Sequence, residues 1–282
     1  MTAAASRQDS LAWRRTRVDG HDVRYGVIGR GAPLVFLHGW GLNHRAYGRA
    51  LAPLGRCGVR VYAPALPGFG GTRDLASGEL TMAGYAAWVA RFLDAIGVIG
   101  PVTLVGHSFG GGVAIQTAHD HPRRVAGLVV VNSIGGATWS ETGGITRSLR
   151  DRPLWDWGLH LQADVLPWRQ LTRILPVIAE EALPNLVGNP RAIWRVARLA
   201  RTADLTAELE ELKRRRLPVV ILWGRGDTVL PPASLESLRS ALSDPALITV
   251  PGKHSWLLAD PGSFAEVMTN VVGLPGAIRP AA

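Results

Sequence analysis

The stretch Val102-Thr103-Leu104-Val105-Gly106-His107-Ser108-Phe109-Gly110-Gly111-Gly112-Val113-Ala114-Ile115-Gln116-Thr117-Ala118 decides how the whole chain is read. Its first four residues are apolar or β-branched and predict a strand, and its last seven predict a helix. Between them, Gly106-His107-Ser108-Phe109-Gly110 fits the pattern G-x-S-x-G. A strand running into a helix through so tight a turn needs small residues on either side of the central serine. It presents the Ser108 hydroxyl at the carboxyl edge of a sheet, with a helix N-terminus behind it. An ordinary glycine-rich turn has the same composition, but the strand before and the helix after favour an exposed nucleophile.

Working outward, Leu34–Leu37, Val59–Tyr62, Val125–Val131 and Val219–Trp223 are short apolar runs of the same kind. Such runs fit strands covered on both faces, as in a parallel sheet wrapped by helices. Residues 11–28 predict a hairpin turning at Asp19-Gly20. Helical patterns over 45–54, 82–96, 109–120, 233–242 and 263–272 alternate with the strands, which gives an α/β fold. From Ile134 to Arg216 no strand is found, only helical patterns broken by Pro153, Pro167, Pro176, Pro184 and Pro190. That stretch holds five of the ten tryptophans, Trp139, Trp155, Trp157, Trp168 and Trp194. It is expected to be a helical insertion at 134–216 in a core made of 1–133 and 217–282.

Composition excludes several classes. The 282 residues are 47% hydrophobic, which is incompatible with global disorder. No apolar run reaches the roughly 18 residues of a membrane span. The arginines of the first 17 residues stand where a signal peptide needs apolar side chains. Cys57 is the only cysteine, so no disulfide forms within the chain and the cytoplasm is the expected compartment. The net charge of +9 is spread as +3 over 1–30, +4 over 31–133, +3 over 134–216 and −1 over 217–282. Of the 31 basic residues 29 are arginine, which reflects a chain-wide bias. The dense run Lys213–Arg216 follows Glu208, Glu210 and Glu211 and reads as a helix ending in dipole-compensating cations. No nucleic-acid partner is expected.

A serine nucleophile needs a base, and the base needs a carboxylate to orient it. His254 follows the strand-like Leu247–Val250, and Asp227 follows Val219–Trp223. Both therefore stand on loops leaving carboxyl ends of strands, the edge at which Ser108 is expected. The other histidines fit less well. His107 adjoins the serine and points away, His38 precedes a glycine loop, and His119 and His121 end a helix. His21, His44 and His160 have no partner pattern. Asp244 and Asp260 precede proline and read as turn residues. The tetrahedral intermediate needs two backbone donors, for which the N–H of Phe109 and the N–H of Trp40 in His38-Gly39-Trp40-Gly41 are the candidates. No metal spacing and no cofactor motif is present. Trp40, Phe109 and Trp256 are expected to line an apolar acyl pocket.

With these residues in hand, the chain resembles the α/β-hydrolase family from residue 11 to 273, through the His38-Gly39 loop, Leu66-Pro67-Gly68-Phe69-Gly70, Ser108, Asp227 and His254. The resemblance implies a mostly parallel eight-stranded sheet with its second strand antiparallel and a helical cap over the site. It also implies hydrolysis of carboxylic esters or thioesters through a Ser108 acyl-enzyme. Epoxide hydrolases and haloalkane dehalogenases carry Asp at the elbow, so both are disfavoured. Carbon–carbon hydrolases carry Gly-Pro-Gly where this chain has Trp40-Gly41-Leu42-Asn43. The Trp40 loop and the 66–70 turn together are similar to the pimeloyl-acyl-carrier-protein methyl ester esterases. Those bind an acidic carrier through cap arginines, and Arg191, Arg195, Arg198 and Arg201 fall on one helical face here. A solvated face in an arginine-rich chain is the competing reading, and His107 stands where those esterases favour Trp. The alternatives to an esterase are a ligand receptor or partner-binding protein that keeps the triad, a carbon–carbon hydrolase and an acyltransferase of the same fold.

Overall fold

The computed structural model describes residues 10–136 and 178–273. Eight strands form one sheet: β1 (Ala12–Val18), β2 (His21–Gly29), β3 (Ala32–Leu37), β4 (Val59–Pro64), β5 (Val102–His107), β6 (Val125–Val131), β7 (Val219–Gly224) and β8 (Ala246–Val250). Their order across the sheet is β1-β2-β4-β3-β5-β6-β7-β8. β2 runs antiparallel to both neighbours, and all other pairs beyond it are parallel. The turn at Asp19-Gly20 has φ of 53° and 77°. Two successive left-handed residues match the twist of a two-residue hairpin, which is why Asp-Gly stands there.

β5, β6 and β7 are buried almost throughout, whereas the edge strand β1 is exposed over most of its length. Arg14, Arg15 and Arg17 on that edge are exposed, and charge there discourages pairing with another sheet. The apolar strands still alternate by face. Leu104, Leu128 and Val130 enter one core cluster, while Val105, Val129 and Val131 enter the other. The first cluster is covered by α1 (Met82–Ala95), α2 (Phe109–Asp120), α4 (Thr206–Arg214) and α5 (Pro232–Leu242). The second is covered by α6 (Pro261–Gly273) and the turn of helix Gly48–Leu51. The helix expected over 45–54 is therefore split. Its α-helical part is Gly48–Leu51, and a 3-10 segment, Ala52–Arg56, follows. Pro53 has no N–H to continue the α-helical ladder.

Between β6 and β7, residues 137–177 lie outside the described residues, with Trp139, Trp155, Trp157, Trp168 and His160 among them. From Ile178 onward the chain is helical: a π-helical turn at Ile178–Ala182, a short helix at Leu183–Gly188, α3 (Pro190–Thr202) and then α4. Gly135 pairs with Asp204, and the Leu205 N–H donates to the Gly135 carbonyl at 3.1 Å. The two ends of the excursion thus meet at 135 and 204. Leu209 and Leu212 of α4 are fully buried in the core shared with α5, so by packing α4 belongs with the sheet. On α3, Ile193, Val196, Ala197 and Ala200 are buried, Arg191, Trp194 and Arg198 are exposed, and Arg195 and Arg201 are half-buried. Among the described residues no helix is long and apolar enough to cross a membrane.

Phe264 on α6 is fully buried, with its ring 6.3 Å from Phe36 and 5.7 Å from Trp256. Phe264→Ala leaves a cavity under the sheet and is expected to cost about 3–5 kcal/mol. Urea unfolding checks this, and a loss below about 1 kcal/mol would contradict the packing described.

Candidate active site

The site is assembled at the carboxyl edge of the sheet, at the ends of β3, β5, β6, β7 and β8. Ser108 has φ 53° and ψ −117° and stands between β5 and α2. That left-handed conformation is costly for a side chain with a Cβ, and surrounding structure must enforce it. The enforcement is backbone against backbone. A Cβ on Gly106 would lie 2.3 Å from the Gly110 carbonyl oxygen, and one on Gly110 would lie 2.2 Å from the Leu37 oxygen. Only glycine at both positions lets β5, α2 and the end of β3 approach so closely. The Ser108 N–H donates to Val131, and its carbonyl accepts from Gly111 and Ile134.

Facing Ser108, the loop after β8 carries His254. Its Nε2 is 3.0 Å from Ser108 Oγ, and its Nδ1 is 2.8 Å from Asp227 Oδ2. A carboxylate accepts only, so Nδ1 carries the imidazole proton and Nε2 turns a lone pair to the serine hydroxyl. Asp227 follows β7. Its Oδ1 accepts the N–H groups of Val229 and Leu230 at 2.8 and 2.9 Å, and its Oδ2 also accepts from Asn132 Nδ2 at 2.6 Å. Burial is the largest single influence on this carboxyl and opposes its charge. His254 and the hydrogen bonds together outweigh burial and hold it below the usual aspartate value. Arranged this way, the three side chains can move a proton from a hydroxyl to an imidazole whose charge a buried carboxylate balances.

Among the described residues neither the Phe109 nor the Trp40 amide has a hydrogen-bond acceptor. The Phe109 N–H is at the start of α2, where the first amides have no partner within the helix. The Trp40 loop passes so close to the serine that a Cβ on Gly39 would lie 3.4 Å from Ser108 Cβ. His38 fixes that loop. Its Nε2 accepts the Leu66 N–H at 2.9 Å, so Nδ1 carries the proton and donates to the Gly39 carbonyl at 2.9 Å. This carbonyl and the Trp40 N–H belong to one peptide plane, so His38 orients the amide through it.

Two expectations about the pocket are corrected. The Phe109 side chain is fully buried and packs edge-on against Tyr85. Trp256 is buried against Phe264, and its indole N–H donates to Asn132 Oδ1 at 2.9 Å. Both rings serve the core rather than a ligand surface. Only Trp40 of that group is half-buried, and its indole N–H donates to the Ile193 carbonyl of α3 at 2.8 Å. His44, given no role from sequence, is buried beside Trp13. Asn132 was not singled out from sequence. Its Oδ1 also accepts the Gly224 N–H, so one side chain joins the ends of β6 and β7 to Asp227. A polar residue directly after a wholly apolar strand is the signal it leaves in the sequence. Among the described residues no group of three or more His, Cys, Asp or Glu is placed to hold a metal ion.

The sheet order, the serine turn and the two helical layers define an α/β protein with its polar constellation at the sheet's carboxyl edge. Residues 34–267 match the alpha/beta hydrolase family. The chain is 30% identical over 262 residues to a pimeloyl-acyl-carrier-protein methyl ester esterase of Aromatoleum aromaticum, covering 85% of this chain and 97% of that one. It is 28% identical over 256 residues to a protein of Mycobacterium phage D29 described as a candidate non-heme haloperoxidase, covering 89% and 91%. Among solved structures, an esterase from Exiguobacterium antarcticum shares the fold with a TM-score of 0.76 at 20% identity, covering 93% of this chain and 100% of the other. The chain belongs to the alpha/beta hydrolase family and is an enzyme of that class.

Burial keeps three histidines near the site neutral. It lowers His38 to about 4, and it lowers His44 and His107 to about 3, with Arg45 and Arg24 assisting at His44. The unfolded chain protonates them near their ordinary value of about 6.5. Below that pH the unfolded state binds more protons, so their stabilisation is full above about 6.5 and is lost progressively as pH falls toward the folded values. Each contributes a slope of up to about 1.4 kcal/mol per pH unit. The thermal midpoint is expected to fall between about pH 7 and pH 5, and less steeply in His44→Asn. A midpoint that does not change over that interval would contradict the neutral burial of these rings.

Proposed function

We propose that the protein is a serine hydrolase that cleaves carboxylic esters of small molecules. The observation that carries this reading is the continuous path from Ser108 Oγ through both nitrogens of His254 to a buried, fully hydrogen-bonded Asp227. In this reading Ser108 Oγ attacks the ester carbonyl carbon while its proton passes to His254 Nε2, and Asp227 balances the imidazolium. The Phe109 and Trp40 N–H groups receive the oxyanion. Collapse of the intermediate expels the alcohol, protonated by His254, and leaves the acyl group on Ser108. Water then attacks that carbonyl, giving its proton to His254. The acid departs and Ser108 regains its hydrogen.

The same reading makes the insertion expected at 134–216 a helical cap as far as Thr202, over a core of 1–133 and 217–282 that α4 joins by its packing. Hydrogen bonds to the oxyanion loop support this role for the described part. Besides Trp40 on Ile193, Asn43 Nδ2 donates to Glu181 Oε2 at 2.5 Å, and Asn185 Nδ2 donates to the Gly41 carbonyl at 3.2 Å. The ester named in the esterase relatives supports carboxylic esters as the substrate class.

Ser108→Ala is expected to lower kcat on p-nitrophenyl esters of graded chain length by about 10^4-fold or more, with the fold retained by circular dichroism. Turnover that survives the substitution would overturn the mechanism. A folded wild type inert on every ester and thioester would favour a receptor.

A second reading concerns the partner. Exposed Arg191 and Arg198, with half-buried Arg195 against Ser77, favour an ester whose other half is anionic, such as an acidic acyl carrier. Charge reversal by Arg195→Glu with Arg198→Glu is expected to weaken turnover of a carrier-linked ester about tenfold while sparing a small free ester. Equal effects on the two substrates would remove this reading.

A further inference from the structure

Two fully buried polar side chains beside the site, Tyr47 and His107, take part in no step above. Tyr47 precedes the helix Gly48–Leu51, and His107 is the residue before the serine. The Tyr47 hydroxyl is 2.8 Å from His107 Nδ1 and accepts the Gly39 N–H at 3.1 Å. His107 Nε2 is 3.1 Å from the carbonyl oxygen of His254.

The directions of these bonds follow from the ends. The His254 carbonyl can only accept, so His107 Nε2 carries the ring proton. Nδ1 then has a lone pair and accepts the Tyr47 hydroxyl proton. The hydroxyl oxygen, having given its proton inward, accepts the Gly39 amide. Each donor is used and each acceptor filled, along one path from Gly39 to His254. The ends of that path matter. Gly39 is the residue before the Trp40 amide, His107 is the residue before Ser108, and the carbonyl reached is that of His254 itself. We propose that Tyr47 and His107 are positioning residues, a buried hydrogen-bond relay that holds the oxyanion loop, the nucleophile and the base in one register. The proposal rests on the ester-hydrolase reading above.

Three further observations support the relay. First, a Cβ on Gly39 would stand 3.0 Å from His107 Nδ1 and 3.2 Å from the Tyr47 hydroxyl oxygen, so Gly39 leaves the space the relay occupies. Second, burial disfavours both charged forms. It pushes the Tyr47 phenol well above its ordinary value and lowers His107 to about 3, so neither proton is lost or gained at neutral pH. Third, mere filling of this volume would be served by Phe and Leu. Those residues would leave the Gly39 N–H and the His254 carbonyl without these partners in a region closed to water.

The test compares kcat and KM on a short p-nitrophenyl ester for the wild type, Ser108→Ala, Tyr47→Phe, His107→Leu and His107→Gln. Tyr47→Phe is expected to lower kcat about 10- to 100-fold with KM changed less than about twofold, because geometry and not binding is lost. His107→Leu should lose at least as much. His107→Gln, whose amide still donates to a carbonyl, should recover at least about threefold of that loss. Wild-type kcat in Tyr47→Phe beside an inactive Ser108→Ala would overturn the relay alone. Full activity in Ser108→Ala would overturn the nucleophile reading and the relay with it. Nitrogen-15 histidine spectra of the wild type do not depend on any variant folding. They should show His107 as the neutral Nε2–H tautomer from about pH 5 to pH 8, and the Nδ1–H tautomer there would overturn the proposal.

Discussion

The rest of the structure depends on one steric constraint, the passage of bare backbone against bare backbone around Ser108. β5 can turn into α2 within a single left-handed residue only because Gly106 and Gly110 present no side chains to each other or to the end of β3. That closeness brings the β3 loop beside the serine. The strain at Ser108 is held by the sheet's most buried strand, whose residues cannot move without opening the core. A site built this way is stiff because its geometry is the geometry of the sheet edge.

Around that turn the polar groups form a network with few loose ends. Asp227 takes hydrogen bonds from two backbone amides, from Asn132 and from His254, and Asn132 in turn takes them from Gly224 and Trp256. On the other side, His38, Tyr47 and His107 tie the β3 loop to the 66–70 turn and to the backbone of His254. In a low dielectric each such bond is stronger than in water, and each missing partner is costlier. Buried His38 and His107 serve as neutral connectors, one nitrogen giving and the other accepting. Burial itself keeps them in that state. The helical segment from Ile178 to Thr202 extends the network outward, since Trp40, Asn43 and Asn185 fasten it to the loop that carries the Trp40 amide.

Much of this was legible in the residue order. A strand covered on both faces is mostly apolar, so β3 to β7 appear as short runs rich in Val and Leu with few polar residues, such as Arg60 and Thr103. Asp19-Gly20 announces the hairpin because both residues tolerate positive φ. Ser108, Asp227 and His254 each follow such a run directly, and a parallel sheet gathers every such loop at one edge. Other features were less legible. Pro53 split a helix that hydrophobic period alone joins. The apolar rings of Phe109 and Trp256 adjoin the site in sequence, yet packing turns both into the core. α4 reads as part of the insertion, but Leu209 and Leu212 bury it beside α5.

The sequence by itself determined the fold class, the sheet edge on which the chemistry-bearing residues stand, and which serine, acid and histidine are candidates, because periodicity and turn chemistry are local properties. Only the tertiary structure decided which atoms face which. Asn132 meets Asp227 across 95 residues, Tyr47 meets His107 across 60, and His107 meets His254 across 147. A hydrogen bond is made or lost within a few tenths of an ångström, and no local pattern encodes a distance between residues so far apart in the chain.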